Sequence, residues 1–238
     1  MGDREDNQDR VTVIAAEKAA LLVVIDGMGG HSDGSRAADT ALRSLTDSFQ
    51  QTPLPMFDPL GFLHMALARA HDDVARLGSG QSIDARPRAT IAICLVQDGT
   101  AYWAHVGDSR VYWIRHGKVH IRTRDHSHVE LLLREGKISE EEVATHPMRN
   151  FVECCLGGDP AIPEMTISGR HTLQPGDVLL LCTDGIWANL RDVDIAGFFR
   201  DDMQNLRAWL EALGRRAVQA SSPFSDNSTA AVLRWLAD

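Results

Sequence analysis

The chain has 238 residues, of which 44% are hydrophobic and 24% are charged, and its formal net charge is −9. This length suits one large α/β or α+β domain better than two small ones. The acidic balance argues against nucleic acid as a partner, because phosphate backbones are bound by basic surfaces.

The first part of the chain predicts two strands and then two helices. Val and Ile fill residues 11–16 and 21–25, and the second run has the continuous apolar pattern of a strand buried on both faces. A glycine-rich turn at 27–34 precedes an amphipathic helix at about 36–49. A second amphipathic helix is predicted at about 58–77.

The second part begins as a predicted meander. Strands at 90–97 and 100–106 flank Asp98-Gly99, and strands at 110–115 and 118–123 flank His116-Gly117. Both dipeptides are typical of hairpin turns. The polar segment 126–150 is predicted to be a helical, mobile flap, because it has few apolar positions. Further strands are expected at 164–168, 177–183 and 229–235, with a helix at 204–219.

These elements predict an α+β fold. Strands joined by hairpins, with long helices grouped in pairs, favour antiparallel sheets covered by helices. A doubly wound parallel sheet would instead alternate strand and helix along the whole chain.

No segment predicts membrane insertion or export. The longest apolar run, 19–25, is too short to cross a bilayer, and no charged segment followed by an apolar stretch opens the chain. We therefore expect a soluble, cytoplasmic protein with no membrane partner. Cys94 and Cys182 lie in apolar runs, and the absence of Cys-x-x-Cys spacing argues against a zinc site.

Aspartates recur beside the predicted strands. Four segments are placed where an apolar strand ends and a fifth precedes the final strand: NQD (7–9), DGMGGH (26–31), GDSR (107–110), TDG (183–185) and SDNS (225–228). Carboxylates at strand ends can converge on one point, where they would repel each other unless divalent cations bound them. Oxygen-only ligands favour Mg²⁺ or Mn²⁺.

Each segment also has a purely structural interpretation. Asp-Gly is a common turn dipeptide, as Asp98-Gly99 illustrates, and Asp226-Asn227-Ser228 could be an ordinary turn or helix cap. The repeated order of buried strand, aspartate and glycine turn favours an oxygen-lined metal site. By itself, that pattern leaves the chemistry of the site open.

Six stretches in their order along the chain carry a family resemblance: REDNQD (4–9), VIDGMGGH (24–31), HVGDSR (105–110), DHS (125–127), CTDGIW (182–187) and DNST (226–229). The ordered set resembles the PPM-type (type 2C) metal-dependent protein serine/threonine phosphatases, especially their bacterial branch. PMRN (147–150) before Leu156-Gly157 is also similar. The resemblance implies a four-layer α-β-β-α sandwich, with two central antiparallel sheets flanked by helix pairs. It implies one catalytic domain over 1–238, with a flap at about 125–150.

Carried over position by position, the resemblance also implies the metal ligands. Asp26 would bridge two tightly held Mn²⁺ or Mg²⁺ ions, with the Gly27 carbonyl as a further ligand. Asp184 and Asp226 would hold the first ion. The positions near the second ion are Gln8 and Asp9.

The remaining implied positions concern a third ion and the substrate. Asp108, with Asp184, would hold a third, looser cation, and Arg4 would bind the substrate phosphate. The cations would activate water for attack on phosphorus while Arg4 neutralised the equatorial oxygens. No covalent phosphoenzyme is expected.

Three positions depart from the family pattern. Gln8 replaces a glutamate of many relatives, so the second ion is expected to bind more weakly. Met28 stands where eukaryotic relatives have a histidine proposed as general acid, and His31 is not expected to substitute for it. Arg4 lies so near the start that we expect a short sheet edge and a poorly anchored Arg4.

Two rival functions differ in class from this phosphatase. A pseudophosphatase would keep the fold and bind a phosphoprotein without catalysis, but the five intact aspartates argue against it. A phosphodiesterase or nuclease would add histidine ligands, and the ten histidines are scattered. The expected partners are a phosphorylated protein substrate and a bacterial serine/threonine kinase that the enzyme opposes, with the chain acting as a monomer.

Overall fold

Two antiparallel sheets lie face to face in the computed structural model, which describes residues 1–29, 32–143, 145–200 and 205–236. The strands are β1 (Asp9–Ala15), β2 (Ala19–Met28), β3 (Arg88–Gln97), β4 (Thr100–Val106), β5 (Arg110–Arg115), β6 (Lys118–Arg122), β7 (Leu156–Gly157), β8 (Thr166–Ile167), β9 (His171–Thr172), β10 (Val178–Cys182) and β11 (Ala230–Arg234). The helices are α1 (Ser32–Gln51), α2 (Pro59–Leu77), α3 (His128–Arg134), α4 (Glu140–Val143), α5 (Asp184–Trp187), α6 (Asp192–Gly197) and α7 (Leu206–Ser221), with a 3₁₀ turn at Ile83–Ala85.

The strand order shows how distant segments become neighbours. In the described residues, the larger sheet has the order β1-β2-β3-β4-β8, with β7 beside β3 and β9 beside β4. The smaller sheet has the order β11-β10-β5-β6. Every pairing is antiparallel. Strand β10 therefore ends beside the start of β11, although nearly fifty residues separate them.

Both predicted hairpins are confirmed by their backbone angles. Asp98 and Gly99 have φ of 50° and 66°, and His116 and Gly117 have φ of 49° and 66°. Positive φ at both central residues is the turn geometry whose twist matches paired strands.

Three apolar layers hold the elements together. Helices α1 and α2 pack on the larger sheet through buried side chains such as Leu45 and Leu67. The two sheets meet through a second layer that includes Trp103 and Trp113. A third layer, between the smaller sheet and α5 to α7, includes Leu213. The predicted α+β architecture of four α-β-β-α layers is confirmed.

The structure differs from the prediction where elements are short. Strand β2 continues through Met28 and α1 begins at Ser32, so the turn predicted at 27–34 is shorter. The short helices α5 and α6 were not predicted, because one or two turns carry no measurable helical period. Gly30, His31 and the beginning of the helix predicted from residue 204 lie outside the described residues.

The segment 126–150 contains α3 and α4, and its two ends are joined at the base. Ser127 and Val152 form an isolated bridge, the Glu153 amide donates to the His126 carbonyl at 2.8 Å, and the His128 amide donates to the Phe151 carbonyl at 3.0 Å. No helix in the described part of the chain is long and apolar enough to span a bilayer. All four cysteines are free thiols, and Cys94 and Cys182 are buried as predicted.

Candidate active site

A cavity of about 640 Å³ opens where the ends of both sheets meet. Its wall combines the N-terminal segment, the ends of strands, Asn150 at the end of the flap and Val152 just beyond it. The lining residues are Asp3, Arg4, Glu5, Asp6, Gln8, Asp26, Gly27, Met28, Gly29, Asp108, Asn150, Val152, Asp184, Asp226 and Asn227. Seven of the eight predicted site residues therefore share one cavity, and the exception is Asp9.

Strand ends deliver the four central carboxylates to this cavity. Asp26 lies in β2 and Asp108 in the turn after β4, while Asp184 is the first residue of α5, directly after β10. Asp226 reaches the same place because Cys182 at the end of β10 pairs with Ala230 at the start of β11. The predicted convergence of carboxylates from distant positions is what the topology produces.

Two Asp-Gly glycines are required by close backbone packing. A Cβ on Gly27 would overlap the carbonyl oxygen of Gly34, and a Cβ on Gly185 would overlap that of Asn227. Neither glycine has positive φ. Their function is thus to let backbone approach backbone behind the carboxylates, rather than to form a turn that only glycine can adopt.

The N-terminal segment is tied to the loop before β11. The Asp3 amide donates to the Ser225 carbonyl at 3.0 Å, and the Ser225 hydroxyl donates to the Asp3 carboxylate at 2.6 Å. Arg4 donates to both carboxylate oxygens of Asp226, at 3.0 and 2.7 Å. The expectation that Arg4 would be poorly anchored is therefore wrong, because the loop before β11 supplies the partner that a preceding strand was expected to supply.

Asn227 is a structural residue of the site that the sequence interpretation did not single out. Its side chain accepts a hydrogen bond from the Gln8 amide at 2.7 Å and donates to the carbonyls of Met1 and Asp6 at 3.0 and 2.9 Å. Its side-chain amide therefore aligns the segment that carries Arg4 and Gln8. The DNST motif contained the signal, but nothing in the sequence identifies the three backbone partners.

Asp9 lies behind the cavity rather than on its wall. It is the first residue of β1, opposite Asp26 in the register, and is almost completely buried. Its carboxylate accepts a hydrogen bond from the Thr183 hydroxyl at 2.9 Å. Since Asp9 begins a strand, its prediction as a residue that follows an apolar strand was wrong, although it still adjoins Asp26.

Burial and mutual repulsion raise the pKa values of three central carboxyl groups. Burial, and then the charges of Asp184 and its neighbours, raise the pKa of Asp26 well above the ordinary range. Burial and the charge of Asp108 do the same to the pKa of Asp184, and burial followed by the charge of Asp125 raises the pKa of Asp108 to about 7. Among the described wall residues, Arg4 alone is basic. The cavity therefore has an excess of negative charge that cations would relieve.

The donor set fits hard divalent cations, although the carboxylates are not gathered into a ready cluster. Asp26, Asp108, Asp184 and Asp226 offer only oxygen, as Mg²⁺ and Mn²⁺ prefer. No three acidic, histidine or cysteine side chains of the described segments have the spacing of a preformed metal site. Both oxygens of Asp226 are engaged by Arg4 and one oxygen of Asp9 by Thr183. A cation at Asp226 would therefore compete with Arg4 for the same two oxygens.

The raised pKa values predict how the stability of the metal-free protein depends on pH. A carboxyl group whose pKa is higher in the folded than in the unfolded chain makes the folded state bind extra protons, so stability falls as pH rises. We expect the melting temperature in chelator to increase by about 2–4 °C as pH falls from about 8 to about 6.5. Asp108, with a pKa of about 7, contributes in this window.

Thermal melts of wild type and Asp108→Asn in chelator test this expectation. The variant should show a smaller pH slope, and an equal slope in both proteins would contradict the assignment. The expected trend applies only above about pH 6.5, because His105 opposes it at lower pH. Burial lowers the pKa of His105 to about 4, so the folded protein keeps this ring neutral where the unfolded chain would bind a proton, and stability falls.

Comparisons with known proteins agree with this site. A family model described as "Protein phosphatase 2C" matches residues 2–222. Protein phosphatase PhpP of Streptococcus pneumoniae serotype 2 (strain D39) is 30% identical over 234 residues, covering 97% of this chain and 92% of PhpP.

Two solved structures extend the similarity to three dimensions. The serine/threonine phosphatase of S. agalactiae has a TM-score of 0.86 at 26% identity, covering 98% of this chain and 95% of that one. The catalytic domain of the serine/threonine protein phosphatase PstP, solved with two manganese ions, has a TM-score of 0.78 at 27% identity, covering 96% and 91%. The chain therefore belongs to the protein phosphatase 2C family, among its bacterial members, and is a protein serine/threonine phosphatase.

Proposed function

We propose that the chain hydrolyses phosphoserine and phosphothreonine in proteins with two divalent cations, Mn²⁺ or Mg²⁺, bound in the carboxylate cavity. The observation that carries this proposal is the convergence of Asp26, Asp108, Asp184 and Asp226 on one cavity in which Arg4 is the only basic wall residue described. The two manganese ions of the PstP catalytic domain support the choice of metal. The intact carboxylates favour an enzyme over a pseudophosphatase.

The proposed ligands divide between the two ions and a third. Asp26 would hold both tightly bound ions, and the Gly27 carbonyl would add a further ligand. Asp184 and Asp226 would hold the first ion, and Gln8 and Asp9 would lie near the second. Asp108 and Asp184 would hold a third, weaker ion. When bound, such cations lower the pKa of coordinated water and neutralise charge on phosphate.

Arg4 is proposed to bind the substrate phosphate. Its guanidinium already donates two hydrogen bonds to a pair of oxygens on the cavity wall, those of Asp226. A phosphate group offers the same pair of acceptors to a planar fork. Because 61% of the Arg4 side chain is exposed, it can reach an incoming substrate without leaving a buried position.

A metal-dependence assay tests the catalytic proposal. Hydrolysis of an aryl phosphate and of a phosphothreonine peptide is measured with Mn²⁺, Mg²⁺, Ca²⁺ or chelator. We expect turnover of both substrates with Mn²⁺ and almost none in chelator. Full activity in chelator would overturn the metal chemistry, and a phosphoryl-enzyme trapped by acid quench would replace it with covalent catalysis.

We further propose that residues 1–238 form one catalytic domain with a flap at 125–150 that selects the phosphoprotein. The layer that includes Trp103 and Trp113 joins the sheets, and the flap's two ends meet beside Asn150 and Val152 on the cavity wall. The natural opponent is a bacterial serine/threonine kinase. We propose that the chain acts as a monomer in the cytoplasm, where free cysteines remain reduced.

Exchanging the flap should separate substrate selection from chemistry. Residues 128–150 are replaced by a relative's segment, while the base formed by Asp125, His126 and residues 151–153 is kept. We expect at least a several-fold change in preference among phosphoproteins and little change in aryl phosphate turnover, because the carboxylates stay in place. Equal losses on both kinds of substrate, measured by initial rates, would contradict this function of the flap.

A further inference from the structure

Arg110 lies between two parts of the site, the turn that carries Asp108 and the base of the flap. It is the first residue of β5, and only 12% of its side chain is exposed. Its Nε and Nη2 atoms donate to the two carboxylate oxygens of Asp125 at 2.8 and 2.7 Å. Its Nη1 atom donates to the Tyr112 hydroxyl at 3.1 Å. The guanidinium is thus held in one orientation.

Through Trp187, Arg110 contacts the elements that carry two of the carboxylates. The guanidinium carbon lies 3.3 Å from the centroid of the Trp187 ring, in a stacked cation–π arrangement. The Trp187 indole nitrogen donates to the backbone carbonyl of Asp108 at 3.0 Å. Trp187 also ends the short helix α5, whose first residue is Asp184. One stacked ring therefore links the Asp108 turn to the Asp184 helix.

Through Asp125, the same guanidinium contacts the base of the flap. His126, the next residue, donates its amide to the Gly107 carbonyl at 2.9 Å and accepts from the Gly107 amide on its ring nitrogen at 3.2 Å. The strand pairing between Ser127 and Val152 follows directly, and Val152 lies on the cavity wall. The flap base and the Asp108 turn are consequently joined at both Gly107 and Arg110.

We propose that Arg110 is a positioning residue that couples the Asp108 and Asp184 carboxylates to the base of the flap, through Trp187 on one side and Asp125 on the other. The inference rests on the proposed metal-dependent function. Lysine cannot replace arginine here, because it lacks both the fork that matches a carboxylate and the planar face that stacks on indole.

The other end of β5 supplies a matched control. Arg115 donates from Nε and Nη2 to the two oxygens of Asp177 at 2.7 and 2.8 Å, and its guanidinium carbon lies 5.0 Å from the Trp113 ring centroid. Asp177 is fully buried. None of these three residues lies on the cavity wall. Arg115→Lys therefore removes the same kind of interaction from the same strand, without touching the carboxylates or the flap.

The test compares wild type, Arg110→Lys and Arg115→Lys as full chains. Melting temperature in chelator reports stability, calorimetric titration with Mn²⁺ reports cation affinity, and hydrogen exchange of amides 128–152 in chelator reports the flap. We expect both variants to melt earlier than wild type. Only Arg110→Lys should also lose Mn²⁺ affinity at the weakest site, by about ten-fold or more, because groups that orient metal ligands contribute about that much to affinity. The flap amides of this variant should also exchange faster.

The outcomes separate the inference from the function on which it rests. Equal Mn²⁺ affinity and equal flap exchange in the two lysine variants would overturn the coupling and leave a local structural contact. Failure of wild type to bind Mn²⁺ would overturn the proposed function, while the exchange data would still decide the link to the flap. If Arg110→Lys does not fold, Trp187→Phe keeps the aromatic face but removes the bond to Asp108. Unchanged Mn²⁺ affinity in that variant would overturn the inference.

Discussion

Asp26→Asn is expected to lower kcat/KM for an aryl phosphate by about 10³-fold or more, since bound cations contribute several kcal/mol to transition-state stabilisation and each 1.36 kcal/mol is ten-fold in rate. The same substitution is expected to raise the melting temperature of the metal-free protein by about 2–4 °C. Burial and the charges of four neighbouring carboxylates raise the pKa of Asp26, so a neutral amide of the same shape removes repulsion. Initial rates with Mn²⁺ and thermal melts in chelator measure the two effects.

A turn aspartate provides the control for Asp26→Asn. Asp98 has φ of 50° in the hairpin between β3 and β4, and it does not lie on the cavity wall. Asparagine tolerates this backbone region well, so Asp98→Asn should leave rate and melting temperature almost unchanged. Retained activity in Asp26→Asn would remove Asp26 from the catalytic set. A lower melting temperature in chelator would show that hydrogen bonding to Asp26 outweighs repulsion.

The convergence of the central carboxylates could be predicted, because it follows from where strands end. Asp26, Asp108 and Asp184 each lie at or just beyond the end of an apolar strand, and antiparallel pairing brings the ends of β2, β4 and β10 to one side of the molecule. The family resemblance supplied the order and the phosphatase chemistry. Neither the convergence of the carboxylates nor the family resemblance required knowledge of any individual long-range contact.

The supporting residues could not be predicted, because their partners are distant and are mostly backbone atoms. The bond from the Gln8 amide to the Asn227 side chain joins residues 219 positions apart. Asn150 and Val152 reach the cavity only because the flap closes on itself at Ser127. The alternation of a strand assigns side chains to faces, but it does not tell which carboxylate lies behind the cavity wall, as Asp9 does.

Among the local elements, the hairpin turns could be predicted from the sequence, whereas the shortest helices and strands could not. The hairpins at Asp98-Gly99 and His116-Gly117 were predicted correctly, since turn chemistry acts within two residues. Helix α5 covers only Asp184–Trp187, and β9 only His171–Thr172, so neither contains a full period of its pattern. Such elements form because their neighbours position them, and only the assembled fold reveals them.

Arg4 can pair with Asp226 or, as proposed, with the substrate phosphate, so its substitution affects both metal and substrate binding. In the structure it is paired with Asp226, a proposed ligand of the first cation. Their side chains are 61% and 39% exposed, and ion pairs this open contribute about 1 kcal/mol or less. A cation held by Asp226 would therefore have only a weak ion pair to compete with. The Arg4 guanidinium would then be free to bind the substrate phosphate.

Arg4→Ala is accordingly expected to lower kcat/KM for a phosphothreonine peptide by about 10²-fold, because a bidentate charge-assisted contact is lost. Affinity for Mn²⁺ should stay equal or become a few-fold tighter, since Asp226 no longer has to leave an ion pair. Steady-state rates and calorimetric titration with Mn²⁺ give the two quantities. Opposite behaviour of substrate and metal distinguishes a phosphate-binding residue from one that merely holds the site together.

Arg191 is the matched control for Arg4. It forms a similar exposed two-point contact, with Nε and Nη2 donating to Asp194 at 2.8 and 2.9 Å, but it lies off the cavity wall. Arg191→Ala should leave both kcat/KM and Mn²⁺ affinity near the wild-type values. If Arg4→Ala instead weakened Mn²⁺ binding while kcat/KM at saturating metal stayed normal, Arg4 would be a support for Asp226, and the phosphate would have to be bound by the cations without an arginine.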